Sequence, residues 1–156
     1  MSRDDALGFL LGRAIRLHYR RSQQLYGDSG LHPGQIPIMF ALWREDGQIQ
    51  KELAKRLHLS AATVTVSLKR LEKAGLLERR RDQDDQRQSR VFLTERGRAL
   101  HQEVLESLRI TDRDSLAGFS AAETAQFKQY LHRVIDNLLA TLGVDGQEDN
   151  FAERVD

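Results

Sequence analysis

The chain has no cysteine among its 156 residues. Disulfides, thiolate-ligated zinc and thiol-based redox sensing all require that side chain, so this protein uses none of them. Long apolar runs are missing as well. No stretch approaches the ~20 residues of a membrane span, and Met1 is followed by Ser2, Arg3 and two aspartates rather than by a cleavable signal. The expected location is the cytoplasm, with no membrane partner. Nor is there a His-x-x-x-His or His-Glu-x-x-His pair, a glycine-rich phosphate loop or a nucleophile elbow. The histidines at 18, 32, 58, 101 and 132 are scattered, and the carboxylates stand among lysines and arginines as solvated helix faces do. These absences point away from an enzyme, and no catalytic residue, metal or cofactor is expected.

Net charge is nearly absent too, at 24 basic against 23 acidic residues, which taken alone argues against nucleic acid. The average hides a strong asymmetry. Residues 51–90 hold eleven Lys and Arg against six Asp and Glu, whereas residues 99–156 hold five against eleven. A basic middle and an acidic end make the molecule electrically polar, and a local basic face is what attracts a phosphate backbone.

That basic middle, from Gln50 to Thr94, is the stretch around which the chain is organised. QKELAKRLHL predicts a short helix with Leu53, Ala54 and Leu57 on one apolar face. Ser60 then has the hydroxyl to cap a second helix, SAATVTVSLKRLEKAG, which Gly75 ends. Val64, Leu68 and Leu71 point to the core, leaving Ala62, Thr63, Thr65, Val66, Lys69 and Lys73 outward. That outer face is small, hydroxylated and basic, as a helix lying deep in the DNA major groove must be. Taken alone, the helix reads equally well as an ordinary amphipathic surface helix. LLERRRD and RVFLT follow as two short strands around the polar tip DQDDQRQS, with Arg79, Arg80, Arg81, Arg87 and Arg90 crowding the hairpin. A basic hairpin after a helix-turn-helix is a wing, and its arginines suit phosphates and the narrow minor groove.

With these residues in place, the chain resembles the MarR-type winged-helix transcription regulators. QKELAKRLHLSAATVTVSLKRLEKAGLLERRRDQDDQRQSRVFLTERG follows that family's pattern without a gap, including Asp85-x-Arg87, Val91-x-Leu93-Thr94 and Gly97. The likeness covers nearly all of residues 5–142. It implies a mainly α fold: a winged helix-turn-helix with a small β-hairpin wing and flanking dimerisation helices. It also implies a homodimer on a palindromic operator in double-stranded DNA, more often a repressor, released by a small ligand. One MarR-like domain over 1–156 is expected, with dimerisation helices at about 4–26 and 95–142. The DNA-binding lobe is expected at about 33–94 and an acidic tail at 143–156. The expected DNA-binding residues are Ser60, Ala62, Thr63, Thr65, Val66, Lys69, Arg70, Lys73, Arg79, Arg81, Asp85, Arg87 and Arg90. By the same resemblance, Asp85 orients the Arg87 guanidinium.

The flanking stretches are helical. Leu7, Leu10, Leu11, Ala14, Leu17 and Leu25 share a face of the first, interrupted by His18 and Arg21. Those two either reach the edge of the face and pair locally or line a ligand cavity. Pro33 opens a second helix to about Glu45, which Pro37 is expected to weaken or bend. Thr94 can cap a helix toward Leu116, and Ser120-Ala-Ala-Glu123 is a capping box for a last one striped by Phe127, Leu131, Val134, Leu138 and Leu142. This is more apolar stripe than one subunit needs, so a partner subunit is the natural place to bury it. The family's ligand cavity lies where dimer helices meet the DNA-binding lobe. There His18 and Arg21, walled by His32 and Trp43, would favour a small anionic aromatic or acyl compound. The competing reading is a winged-helix module that binds protein, or DNA without sequence preference.

Overall fold

The computed structural model describes residues 5–143, so most of the expected acidic tail lies outside the described residues. Six helices run in chain order: α1 Leu7–Tyr26, α2 Ile36–Arg44, α3 Gln50–Arg56, α4 Ala61–Lys73, α5 Glu95–Ser115 and α6 Ala121–Leu142. Three strands, β1 Gln48–Ile49, β2 Leu77–Arg81 and β3 Ser89–Leu93, form an antiparallel sheet in the order β1-β3-β2.

The core is assembled on α2, whose Ile38, Met39 and Leu42 are wholly buried against Leu53 of α3 and Val64, Leu68 and Leu71 of α4. Pro37 does not interrupt this helix. A 3₁₀ turn over Pro33–Gln35 precedes it, and α2 itself starts at Ile36. Pro37 therefore sits in the first turn, where its missing N–H had no intrahelical partner to lose. The wing hairpin closes on the core through Leu77 and Leu93, which face each other across β2 and β3. Its third strand is only two residues long. Gln48 pairs with Val91 and Ile49 with Arg90, tying the entrance of α3 to the wing.

The helix ends follow the side chains present. Ser60 Oγ accepts Thr63 N–H at 3.1 Å and Thr94 Oγ1 accepts Gly97 N–H at 3.0 Å. Ser120 and Glu123 cap each other reciprocally, Glu123 Oε2 accepting Ser120 N–H at 2.8 Å. Between α3 and α4, His58 takes a left-handed φ of 49°, uncommon for a residue other than glycine.

Outside the lobe the packing changes character. Helix α1 buries only Ser22 and Tyr26, and α6 buries nothing. Leu7, Leu10 and Leu17 of α1 and Phe127, Ile135, Leu138 and Leu142 of α6 are all exposed. Among the described residues, the apolar stripes of these two helices are thus left largely uncovered. What joins α1 to α5 is a polar seam. Ser22 donates to Thr111 Oγ1 at 3.1 Å, His18 Nε2 lies 3.2 Å from Asp112 Oδ1, and Arg21 Nε donates to Asp114 Oδ2 at 2.8 Å.

Candidate nucleic-acid interface

Val64, Leu68 and Leu71 fix the rotation of α4. At about 100° per residue, their burial turns Ala62, Val66, Lys69 and Lys73 to the opposite side, with Thr63 and Arg70 on one shoulder. All six of these are exposed. Thr65 falls on the other shoulder, toward α3, and is half-buried. Its hydroxyl donates to Ala61 O at 2.8 Å and accepts from Gln50 Nε2 at 2.9 Å. Thr65 and Gln50 therefore fasten the two helices of the helix-turn-helix together. Ser60 caps α4 and shares a hydroxyl contact of 2.8 Å with Thr63.

The wing stands beside this face, and its arginines are not equivalent. Arg79 is held by Glu72 of α4, with Nη2 and Nε at 2.7 and 3.2 Å from Glu72 Oε2. That hydrogen bond keeps the Glu72 carboxyl below its usual range. Arg90 is bound to Asp82 and also donates to Gly47 O at 2.9 Å, joining the returning strand to the turn before β1. Arg80 lies over the Phe92 ring, 4.8 Å from its centroid, and is bonded to Glu78. Arg81 and Arg87 are exposed, and neither has a hydrogen bond or ion pair from its guanidinium among the described residues.

The tip has neither glycine nor proline, and aspartates shape it instead. Buried Asp82 accepts the backbone N–H groups of Asp84 and Asp85 through Oδ1, at 2.9 and 2.8 Å. Asp85 accepts the Arg87 N–H at 3.0 Å and the Gln88 Nε2 at 3.0 Å. Such side-chain turns mimic a backbone turn. The Asp82 carboxyl is held below its usual range by the Asp85 N–H and by Arg90, and that of Asp85 by Gln88 and the Arg87 N–H. Asp85 thus acts on the backbone of Arg87, whereas a bond to the guanidinium was expected. Geometry explains the difference: its two oxygens are already committed to the turn. Asp82, Gln50 and Asp46 were not singled out from the sequence, although the Asp-x-Asp-Asp run is itself an Asx-turn signature. Asp46 accepts the Leu93 N–H at 2.8 Å and Arg98 Nη2 at 2.8 Å, bracing the base of the wing.

A cleft of about 310 Å³ opens between the tip and the helices, lined by Ile49, Gln50, Lys51, Ala54, Ala61, Arg87, Gln88 and Ser89. None of the four residues expected at a ligand site lines this cleft. His18 and Arg21 are paired with Asp112 and Asp114. Trp43 donates to Gly97 O at 2.9 Å and stacks with its ring centroid 4.7 Å from that of His101, while His32 opens the 3₁₀ turn. Arg21 holds the Asp114 carboxyl below its usual range, so the pair is a charged one.

Residues 31–89 match the family model described as MarR family. The chain is 38% identical over 99 residues to the HTH-type transcriptional regulator TtmR of Methylorubrum extorquens, a stretch covering 64% of this chain and 51% of that regulator. The match thus spans about half of TtmR. It is 34% identical over 132 residues to the regulator PecS of Dickeya dadantii, covering 83% of this chain and 80% of PecS. Among solved structures, that of MarR superposes with a TM-score of 0.79 at 26% identity, covering 92% of this chain and 97% of the other. Reduced AbfR bound to DNA superposes with a TM-score of 0.72 at 26% identity, covering 87% of this chain and 92% of the other.

Proposed function

The chain belongs to the MarR family of DNA-binding winged helix-turn-helix transcriptional regulators and is not an enzyme; from that premise we propose that it is a ligand-responsive repressor acting as a homodimer on a palindromic operator. The observation that carries this reading is the outward face of α4. Ala62, Val66, Lys69 and Lys73 stand exposed on one side of a helix whose other side is locked into the core. Small side chains let such a helix enter the major groove, and the basic ones meet the phosphates on either side. Arg81 and Arg87 extend the contact to the flanking backbone and minor groove, because their guanidinium groups are uncommitted among the described residues. Arg79, Arg90 and Asp85 serve the same interface differently: Arg79 ties the wing to Glu72 of α4, Arg90 ties it to the turn before β1, and Asp85 shapes its tip.

The exposed stripes of α1 and α6 support the dimer, since among the described residues each leaves large apolar side chains exposed. Two α4 helices related by a two-fold axis must lie about one helical turn apart, ~34 Å, to enter successive major grooves on one face of DNA. A ligand preferring another spacing weakens binding by at most its differential affinity for the two spacings. An anionic ligand at His18 and Arg21 would have to take the places of Asp112 and Asp114, so it competes with internal carboxylates as well as with water.

Binding-site selection on randomised duplex DNA tests the reading. The expected product is an inverted repeat with half-sites centred about 10 base pairs apart. Repeated selection without any consensus would replace it by sequence-indifferent binding.

A further inference from the structure

Among the described residues of the DNA-binding lobe, Val66 is the one large apolar side chain left exposed, at 49%. All the others lie on α1, on α6 or in the link between α5 and α6. Val66 projects from the middle of the outward face of α4, with Ala62 one turn before it and Lys69, Arg70 and Lys73 after it. The neighbouring hydroxyls are poorly placed to read bases. Thr65 spends its only proton on Ala61 O, and Thr63 is engaged with Ser60. The centre of the reading face is therefore apolar, with a basic surround.

If the cations seat on phosphates, what comes against Val66 is the floor of the major groove. Every base pair presents donors or acceptors there, but only thymine presents an apolar group, its C5-methyl. A cytosine or adenine edge at the same place would lose water without gaining a hydrogen bond, which is unfavourable. We propose that Val66, with Ala62 beside it, selects thymine in each half-site by packing on its 5-methyl group. The inference rests on the reading that α4 lies in the major groove.

Uracil is the probe, because it lacks only the methyl and leaves the minor-groove edge seen by the wing unchanged. Duplexes selected by the wild type would be remade with single thymine-to-uracil replacements and assayed with the wild type and Val66→Ser. One thymine per half-site should weaken wild-type binding about fourfold when replaced, the expected worth of one buried methyl. The same replacement should change Val66→Ser binding by less than about twofold, since the apolar partner is gone. Wild-type binding indifferent to every replacement would overturn the inference while leaving the regulator reading intact, as would a fourfold loss kept by Val66→Ser. Failure to select or bind any duplex would overturn the underlying reading and the inference with it.

Discussion

Gly97 lies where α5 leaves the wing, and replacing it by alanine shows how tightly the helix and the sheet are joined. A Cβ at this position would stand 2.0 Å from Leu76 O and 3.0 Å from Leu76 C, both backbone atoms that cannot swing aside. Ordinary carbon–oxygen contact begins near ~3.3 Å, so about 1.3 Å must be found by moving α5 away from the loop before β2. Moving α5 strains two hydrogen bonds: Thr94 N–H to Leu76 O at 3.1 Å, across that gap, and Trp43 Nε1 of α2 to Gly97 O at 2.9 Å. Overpacking costs about 1–3 kcal/mol, and each stretched hydrogen bond about 1 kcal/mol. Alanine returns about 1 kcal/mol of helix propensity. The net expectation is roughly 2–4 kcal/mol, or a fall of roughly 5–15 °C in Tm for a chain of this size. Thermal unfolding followed by circular dichroism would measure it at one fixed protein concentration, because the Tm of an oligomer depends on concentration. Gly34→Ala is the control, since nothing lies within 4 Å of a Cβ there. A Gly97→Ala protein melting within about 2 °C of wild type would refute the steric argument.

Tyr26 is 1% exposed and its hydroxyl has no hydrogen-bond partner among the described residues; burial, aided by Tyr19, pushes its ionisation up to about 12. Tyr26→Phe should therefore raise stability by about 1 kcal/mol at neutral pH, and a lowered urea midpoint would count against the unsatisfied hydroxyl. Because the folded-state value is raised, its contribution is whole below about pH 10 and lost as pH rises toward 12. Wild type should thus lose more stability than Tyr26→Phe between pH 9 and 11, again by urea titration. Asp82 and Asp85 behave oppositely. Their depressed values make the wing tip secure above about pH 4 and open it as pH falls through the lowered values. Amide resonances of Asp84, Asp85 and Arg87 should shift and broaden there before those of α2, and simultaneous loss would remove the separate role of the tip. Salicylate titrated against wild type and a His18→Ala, Arg21→Ala double variant should raise Tm and release operator only in the wild type; equal responses would take these residues out of the ligand site.

The elements with sustained periodicity were legible from the residues. Helix α4 is framed by Ser60 and Gly75, and its Val64, Leu68 and Leu71 carry so clear a period that its buried face could be assigned directly. Strand β1 was not legible, because two residues carry no alternation and Gln48 gains its place only by pairing with Val91. Helix α2 begins later than its first proline suggests, since Gln35 closes a 3₁₀ turn against His32 first. At the interface, composition located the wing arginines but could not tell which of them were already paired. Arg79 reaches back seven residues to Glu72 on α4, and Arg90 meets Asp82 eight residues away across the hairpin, so the turn between α4 and β2 and the hairpin register had to be known first. Thr65 illustrates the same limit. Its place on the helix suggests an outward residue, and only the position of Gln50 one helix earlier draws its hydroxyl inward.

The most direct test of a reading surface made by α4 and the wing tip is a quantitative footprint of wild type and Arg87→Ala on the selected duplex at one salt concentration. Wild type should protect the two halves of the duplex symmetrically about a dyad. Arg87→Ala should lose the minor-groove protection beside each half-site while keeping that of the major groove, with affinity lower by about 1–3 kcal/mol, roughly 5- to 150-fold. An unchanged footprint with unchanged affinity would contradict the account.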